Sequence, residues 1–128
     1  MRLEDTVLAA ADRLVEAFAR HDVPAYFAAF RPDATFCFYT HPEPLRSRDA
    51  YQDLWRSWEA DGFQVLACTS SDRHVQVLGD VAVFTHRVAT RVRLGEREED
   101  LDERETIVFA LEHDRWVGVH EHLSPASS

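Results

Sequence analysis

The segment WVGVHEHLS at residues 116–124 does most to decide the fold of this chain. Its branched and aromatic residues favour a β-strand, in which alternate side chains point to the same face of the sheet. With that period, Trp116, His120 and His122 share one face. The segment therefore predicts a closing strand that carries an aromatic ring and two imidazoles on one side.

Three more strands are predicted before this one, because period-two patterns run from Phe63 onward and are divided by turn residues. The divisions fall at Gly79-Asp80, near Gly95 and at His113-Asp114. The prediction is a meander of long antiparallel strands. The charged run at residues 96–100 is interpreted as the solvated tip of one hairpin.

The first half of the chain predicts helices and one strand. Apolar residues at helical spacing predict a long helix from Leu3 to Phe18, which ends near His21. Pro24 begins a short second helix that Pro32 ends, and residues 34–40 then predict the first strand.

A third helix is predicted between Ser47, whose hydroxyl can cap the first turn, and Gly62, which ends it. Helices followed by long curved strands make an α+β domain, here over residues 1–128, in which the helices cover the concave side of the sheet. The curvature leaves a hollow between helices and sheet, and such a hollow is the default site for a small molecule.

The composition excludes several functions. The formal net charge is −9 without any Arg-rich block, so we expect no nucleic-acid partner. All 14 cationic side chains are arginine, and without lysine the chain has no nucleophile for Schiff-base chemistry. No segment suggests a signal peptide or a membrane span, and Cys37 and Cys68 predict reduced thiols, so we expect a cytoplasmic protein.

Several motifs occur together with a specific spacing. Arg104-Glu105-Thr106 is followed, after a hairpin, by Trp116 and then by VHEHLS at residues 119–124. DATF at 33–36 leads into the first strand, and GDVA at 79–82 leads into the central strand. Together these motifs resemble the nuclear transport factor 2-like superfamily, and within it the SnoaL-like and calcium/calmodulin-dependent kinase association-domain groups.

The resemblance implies a cystatin-like α+β barrel, a cone-shaped curved antiparallel sheet closed by three N-terminal helices. The superfamily includes isomerases, polyketide cyclases, dehydratases and assembly hubs, so the reaction has to be inferred from the site. Ketosteroid isomerases have a catalytic aspartate in the first strand, where this chain has FCFY at 36–39. Kinase hubs have an inward arginine on the central strand, where this chain has His86 and Val88.

The candidate catalytic residues are His120, His86 and Tyr39, because an imidazole that faces the cavity can act as acid or base and Tyr39 lies near the expected mouth. The alternative for His120 and His122 is hydrogen bonding within the sheet or beneath Trp116. This pair could also ligate a metal ion if His86 or His41 supplied a third group. We expect no metal ion and no cofactor.

The candidate ligand-binding residues are aromatic or cationic groups expected around the cavity. Arg104 can bind a carboxylate through two guanidinium nitrogens, although an ion pair with Asp102, Glu103 or Glu121 is at least as good an alternative. Aromatic or polyketide-like acids are therefore the expected ligands. The full set is Arg104, His122, Trp116, Tyr51, Trp55 and His41.

The leading hypothesis is a small-molecule-binding protein that acts as a cofactor-free isomerase, cyclase or dehydratase on an apolar or aromatic metabolite. The rival is a non-catalytic ligand-binding or homo-oligomeric assembly domain. The enzyme hypothesis would be favoured by a side chain of His86, His120 or Tyr39 that faces the cavity without a hydrogen-bond partner. A filled or wholly apolar interior would favour the rival.

The sheet face opposite Trp116 predicts a homodimer. It carries enough aliphatic side chains to form an exposed apolar patch, and a two-fold self-contact is the commonest way to cover one. Arg87, Arg91 and Glu121 on the same face could pair across the two-fold axis. This assignment depends on strand parity, which a single β-bulge would invert. The aliphatic residues are Val81, Val83, Ala89, Val117, Val119 and Leu123.

Overall fold

The computed structural model describes residues 2–126, which form three helices and a five-stranded sheet. The elements are α1 (Leu3–Ala19), α2 (Val23–Ala28), β1 (Phe30–Phe38), α3 (Arg48–Ala60), β2 (Phe63–Leu78), β3 (Val81–Leu94), β4 (Arg97–Glu112) and β5 (Arg115–Pro125). The strand order is β1-β5-β4-β3-β2, so the sheet stays open between two edge strands, β1 and β2. This confirms the predicted α+β class and the meander of four strands.

The helix boundaries follow local capping chemistry. The Ser47 hydroxyl accepts a hydrogen bond from the backbone N–H of Ala50 at 3.0 Å and caps α3, as predicted. The Asp22 carboxylate accepts one from the backbone N–H of Ala25 at 3.3 Å and caps α2, with Pro24 in its first turn. These caps fix where both helices begin.

The first strand begins earlier than predicted and runs parallel to β5, so the sheet is not wholly antiparallel. Pro32 lies inside β1 instead of preceding it. Proline lacks a backbone N–H, but β1 is an edge strand and its pairing with β5 is irregular between Phe30 and Thr35. The missing hydrogen bond of Pro32 is therefore tolerated there. The sequence prediction of a strand confined to residues 34–40 was therefore wrong at its start and two residues too long at its end.

A β-bulge in β5 reverses the face of the closing strand. Val108 of β4 pairs with His120 and Phe109 pairs with Gly118, which leaves Val119 without an opposite residue. Trp116 and Gly118 are buried before the bulge, and Glu121 is buried after it. The prediction that Trp116, His120 and His122 share one face was therefore wrong.

The charged run at 96–100 is mostly strand, because β4 begins at Arg97 and only Gly95 and Glu96 form the turn. Arg91 of β3 pairs with Glu98 at 3.0 Å and with Asp100 at 3.1 Å. Glu99 points to the opposite face and reaches the cavity described below. The predicted solvated tip is therefore confirmed for residues 96–98 and 100, which are exposed, and is wrong for Glu99.

Aromatic side chains from α2, β1 and α3 form the centre of the core. Tyr26, Phe36, Tyr51 and Trp55 are all at most 3% exposed, and their rings contact one another or shared neighbours at centroid distances near 4.6–6.1 Å. This packing fixes the helices against the concave face of the sheet. Within the described residues, no helix is long and apolar enough to cross a bilayer.

Candidate active site

A cavity of about 280 Å³ lies between the helices and the concave face of the sheet. Its walls are mainly apolar and aromatic, with Phe18, Trp58 and Phe63 among them. Four carboxyl groups also reach it. They belong to Glu99, Glu103, Glu105 and Glu121.

Glu105 on β4 and Glu121 on β5 form a carboxyl pair at the cavity wall. Glu105 is directly opposite Leu123, and Glu121 is opposite Ile107, so the two glutamates are diagonal neighbours on adjacent strands. Their carboxyl groups lie within hydrogen-bond distance of each other. Two carboxylates at this separation repel each other, so the pair holds at least one proton near neutral pH.

Burial determines how that proton is held. Burial, together with the charge of Glu103, raises the pKa of Glu105 to about 7. Burial and then the neighbouring Glu105 charge raise the pKa of Glu121 well above its ordinary value. The proton therefore resides on Glu121, which donates a hydrogen bond to the Glu105 carboxylate.

His86 supports the pair from within the sheet. Its Nε2 lies 2.7 Å from Oε1 of Glu105 and its Nδ1 lies 2.6 Å from the Ser70 hydroxyl. Burial, with the Arg73 guanidinium nearby, lowers the pKa of His86 to about 4. His86 is thus neutral at pH 7, donates from Nε2 to Glu105 and accepts at Nδ1 from Ser70.

Two tyrosines continue the hydrogen-bond chain on the helix side. The Tyr26 hydroxyl donates to Oε1 of Glu121 at 3.3 Å, and the Tyr51 hydroxyl lies 2.9 Å from that of Tyr26. Burial raises the pKa of both phenols, so both stay protonated. Glu121 is therefore held between a donor from α2 and an acceptor on β4.

Glu103, two residues before Glu105 on β4, also lines the cavity and forms a hydrogen bond with Tyr39. The Tyr39 hydroxyl donates to Oε2 of Glu103 at 2.6 Å. Partial burial and the Glu103 carboxylate raise the pKa of Tyr39 to about 12, and burial raises the pKa of Glu103. Tyr39, predicted as a catalytic residue, is therefore a hydrogen-bond donor to a cavity carboxylate.

The predicted ligand-binding residues divide between the two faces of the sheet. Tyr51 and Trp55 line the cavity, as expected for aromatic walls. Trp116 is buried elsewhere, against α1, where its Nε1 donates to the Thr6 hydroxyl at 2.8 Å. His41 lies beyond the end of β1 and does not line the cavity, and Arg104 is exposed on the outer face.

His120 and His122 lie outside the cavity together with Cys37. One ligand atom from each residue comes within 4.8 Å of the other two, so this cluster is where the described residues could hold a metal ion. The Thr35 hydroxyl lies 2.8 Å from Nδ1 of His120. The third group is thus Cys37 rather than His86 or His41, and no fourth His, Cys, Asp or Glu within residues 2–126 joins it.

The sequence reasoning missed the glutamates as site residues and placed Glu121 on the outer face. One signal was available in β4, where Glu105 shares strand parity with Ile107 and Phe109. A carboxyl group on the apolar parity of a strand indicates a buried acid. No such signal existed for Glu121, because its inward position depends on the bulge at Val119.

The comparisons with known proteins agree on the fold. Residues 7–128 match the family model of the SnoaL-like domain. An NTF2-like protein from Cytophaga hutchinsonii superposes with a TM-score of 0.83 at 18% identity, over 98% of this chain and 99% of that one. Among curated proteins, none matches this chain by sequence.

CaMKII hub domains also share this fold. The CaMKII hub of S. rosetta superposes with a TM-score of 0.78 at 23% identity, over 98% of both chains. The CaMKII hub homology domain from Chlamydomonas reinhardtii gives a TM-score of 0.78 at 22% identity, over 99% of this chain and 100% of that one. At these identities the likeness concerns the fold alone.

Proposed function

Since this chain belongs to the SnoaL-like domain family, we propose that its cavity binds a small, largely apolar molecule and moves a proton on it without a cofactor. The reaction class is isomerisation, cyclisation or dehydration. The observation that carries the proposal is the Glu105–Glu121 carboxyl pair at the wall of an otherwise mainly apolar cavity. The histidines predicted from the sequence do not have this role.

The pair supplies a base and an acid at the same place. The Glu105 carboxylate can take a proton from a carbon or hydroxyl of the bound molecule, and protonated Glu121 can return one to another atom of it. The reaction then balances without any co-reactant, and a dehydration releases water. A pKa of about 7 suits Glu105 for this exchange near neutral pH.

His86 is proposed as a positioning residue rather than a catalytic one. Both its ring nitrogens have partners, and its side chain is fully buried. Its hydrogen bond fixes the orientation of the Glu105 carboxylate, which a base needs in order to reach a bound proton. The mainly apolar walls exclude water and strengthen the electrostatic interactions of the pair.

A base-sensitive probe tests the proposal without knowledge of the substrate. The ring of 5-nitrobenzisoxazole opens when a base removes its C3 proton, and the product absorbs visible light. We expect saturable acceleration by the protein that rises with pH through about 7, as Glu105 ionises. Glu105→Gln should reduce it about tenfold or more, since a positioned base typically contributes 10²–10⁴-fold.

The matched control is Glu43→Gln, which removes one negative charge from the exposed segment between β1 and α3. This variant should turn over the probe like the unaltered protein. Turnover that stays the same in Glu105→Gln would exclude the carboxyl pair as the base.

A second candidate function is homo-oligomeric assembly through the outer face of the sheet. Leu78 and Val81 are opposite each other at the β2–β3 turn and are 56% and 38% exposed. The predicted outer patch loses Leu123 and Glu121, which line the cavity instead. Solved structures with this fold are named as a CaMKII hub and as a putative association domain, which supports a second copy of this chain as the occupant.

Light scattering at micromolar concentration tests the assembly. We expect a dimer that Val81→Asp converts to a monomer, because a charge at the centre of an apolar contact has to be desolvated. Val81→Thr keeps the branched shape without a charge and should remain dimeric. A monomeric mass for the unaltered protein, or a dimer that Val81→Asp leaves intact, would contradict this candidate.

A further inference from the structure

We propose that the molecule bound in the cavity is a cation, namely a protonated amine carried on an aromatic or alicyclic body. This inference rests on the proposed function, because it names the ligand class of the same cavity. It replaces the expectation of acidic ligands, which depended on Arg104. That residue lies exposed on the outer face and does not reach the cavity.

The charges on the cavity wall have one sign. Glu99, Glu103, Glu105 and Glu121 line the cavity, and the wall residues include no arginine and no histidine. The chain contains no lysine at all. The wall therefore offers a carboxylic ligand no cation, and its ionised carboxylates disfavour that ligand through like-charge repulsion. Arg97, which is not a wall residue, pairs with Glu99 at 3.2 Å.

The buried carboxyl groups are held by neutral partners only. Glu103 and Glu121 are 5% and 3% exposed, and they accept hydrogen bonds from the phenols of Tyr39 and Tyr26. Glu105 accepts from the imidazole of His86. A buried carboxylate without a cation is costly, so a positive ligand would supply the charge that the protein does not.

The aromatic walls fit the same ligand. Tyr51, Trp58 and Phe63 line the cavity and present π-systems, which attract a cation through the negative face of the ring. Carboxylates and aromatic rings around one apolar hollow are the groups that recognise organic ammonium ions. The cavity volume of about 280 Å³ suits a small ligand, close to the lower limit for such sites.

One residue of the cavity wall contains a buried donor without a partner. Trp55 lines the cavity and is 1% exposed, yet its Nε1–H has no acceptor among the described residues. Buried donors normally have partners. Because the nitrogen itself is buried, an acceptor oxygen of a ligand would reach it only if the Trp55 ring moved.

Three probes with one aromatic body separate charge from shape. They are 1-naphthylmethylamine, 1-naphthalenemethanol and 1-naphthoic acid, measured by calorimetry and thermal shift at pH 7.5. We expect the amine to bind about tenfold or more tightly than the alcohol, which corresponds to a difference in binding free energy of about 1.4 kcal/mol or more. The acid should bind most weakly. Glu105→Gln should reduce the preference for the amine over the alcohol to about twofold.

Glu43→Gln is again the control and should keep the full preference, because that residue is exposed outside the cavity. Equal or tighter binding of the alcohol or the acid would overturn the cationic ligand and leave the cavity as a small-molecule site. Absence of binding by all three probes would overturn both the ligand class and the proposed function. An amine preference unchanged in Glu105→Gln and in Glu103→Gln would show that these cavity carboxylates do not recognise the charge.

Discussion

The carboxyl groups of Glu105 and Glu121 lie within hydrogen-bond distance of each other at the cavity wall, on adjacent strands and one diagonal step apart. The helices and sheet bury both groups among apolar side chains, so one of the two retains its proton near neutral pH. This relationship determines the chemistry available to the cavity. It also couples the stability of the protein to pH.

Glu121→Gln should stabilise the protein at high pH and leave it nearly unchanged at pH 5. The folded pKa values of both glutamates are raised, so the stability they contribute is present below their ordinary pKa of 4.5 and is lost as pH rises toward the folded values, about 7 for Glu105. A glutamine copies the protonated acid at every pH. The free energy of unfolding of the variant should gain on the order of 2 kcal/mol relative to the unaltered protein between pH 5 and 8.

His86 has the opposite dependence, since its lowered pKa means that its contribution is lost as pH falls from 6.5 through about 4. His86 is present in the unaltered protein and in Glu121→Gln, so the difference between their free energies of unfolding reports on the carboxyl pair. The groups that face the pair are Glu103, His86, Tyr26, Tyr51 and Cys68. Urea unfolding across this pH range gives the comparison, and a difference that does not change with pH would exclude a shared proton.

Ser70→Ala should destabilise the protein by about 1–3 kcal/mol, because it leaves the buried Nδ1 of His86 without its donor. Ser71→Ala is the matched control, since Ser71 is the next residue of β2 and is exposed. That change should stay within about 0.5 kcal/mol. Denaturant unfolding at pH 7 compares the two, and equal effects would show that the Ser70 hydroxyl does not support His86.

Gly118→Ala should destabilise the protein by about 1–3 kcal/mol through overpacking. A Cβ atom at this position would lie 2.6 Å from Cδ1 of Phe30, so the ring has to move. Phe30→Leu should therefore be less harmful in the Gly118→Ala background than in the unaltered protein. Additive losses in this double-mutant cycle would contradict a direct contact between the two positions.

The purified protein should contain no stoichiometric zinc, iron or nickel. Cys37, His120 and His122 offer three ligand atoms, and His122 is exposed, so binding would have to order a free side chain. Structural zinc sites usually have four protein ligands. Elemental analysis tests this, and about one metal ion per chain that is lost in His122→Ala would establish the outer cluster as a metal site.

The parts of the fold that could be predicted are those set by local chemistry. The apolar spacing of α1, the Ser47 cap and the alternation along β3 all depend on residues close in the chain, and the structure confirms them. The inward parity of His86 followed from the same alternation. Its partners did not, because Ser70 and Glu105 come from neighbouring strands.

The sequence by itself determined the order of the elements, the class of the fold and the likeness to the SnoaL-like family. Only the tertiary structure decided which residues of β5 face the cavity. Gly118 packs beneath Phe30 and donates its N–H to the Ala29 carbonyl at 2.8 Å, and one residue later Val119 bulges out of the ladder. Successive side chains of a strand point to opposite faces, so this one extra residue turns Glu121 inward and both histidines outward. The sequence of β5 alone cannot show where the bulge falls, because the Phe30 ring that packs on Gly118 comes from a distant part of the chain.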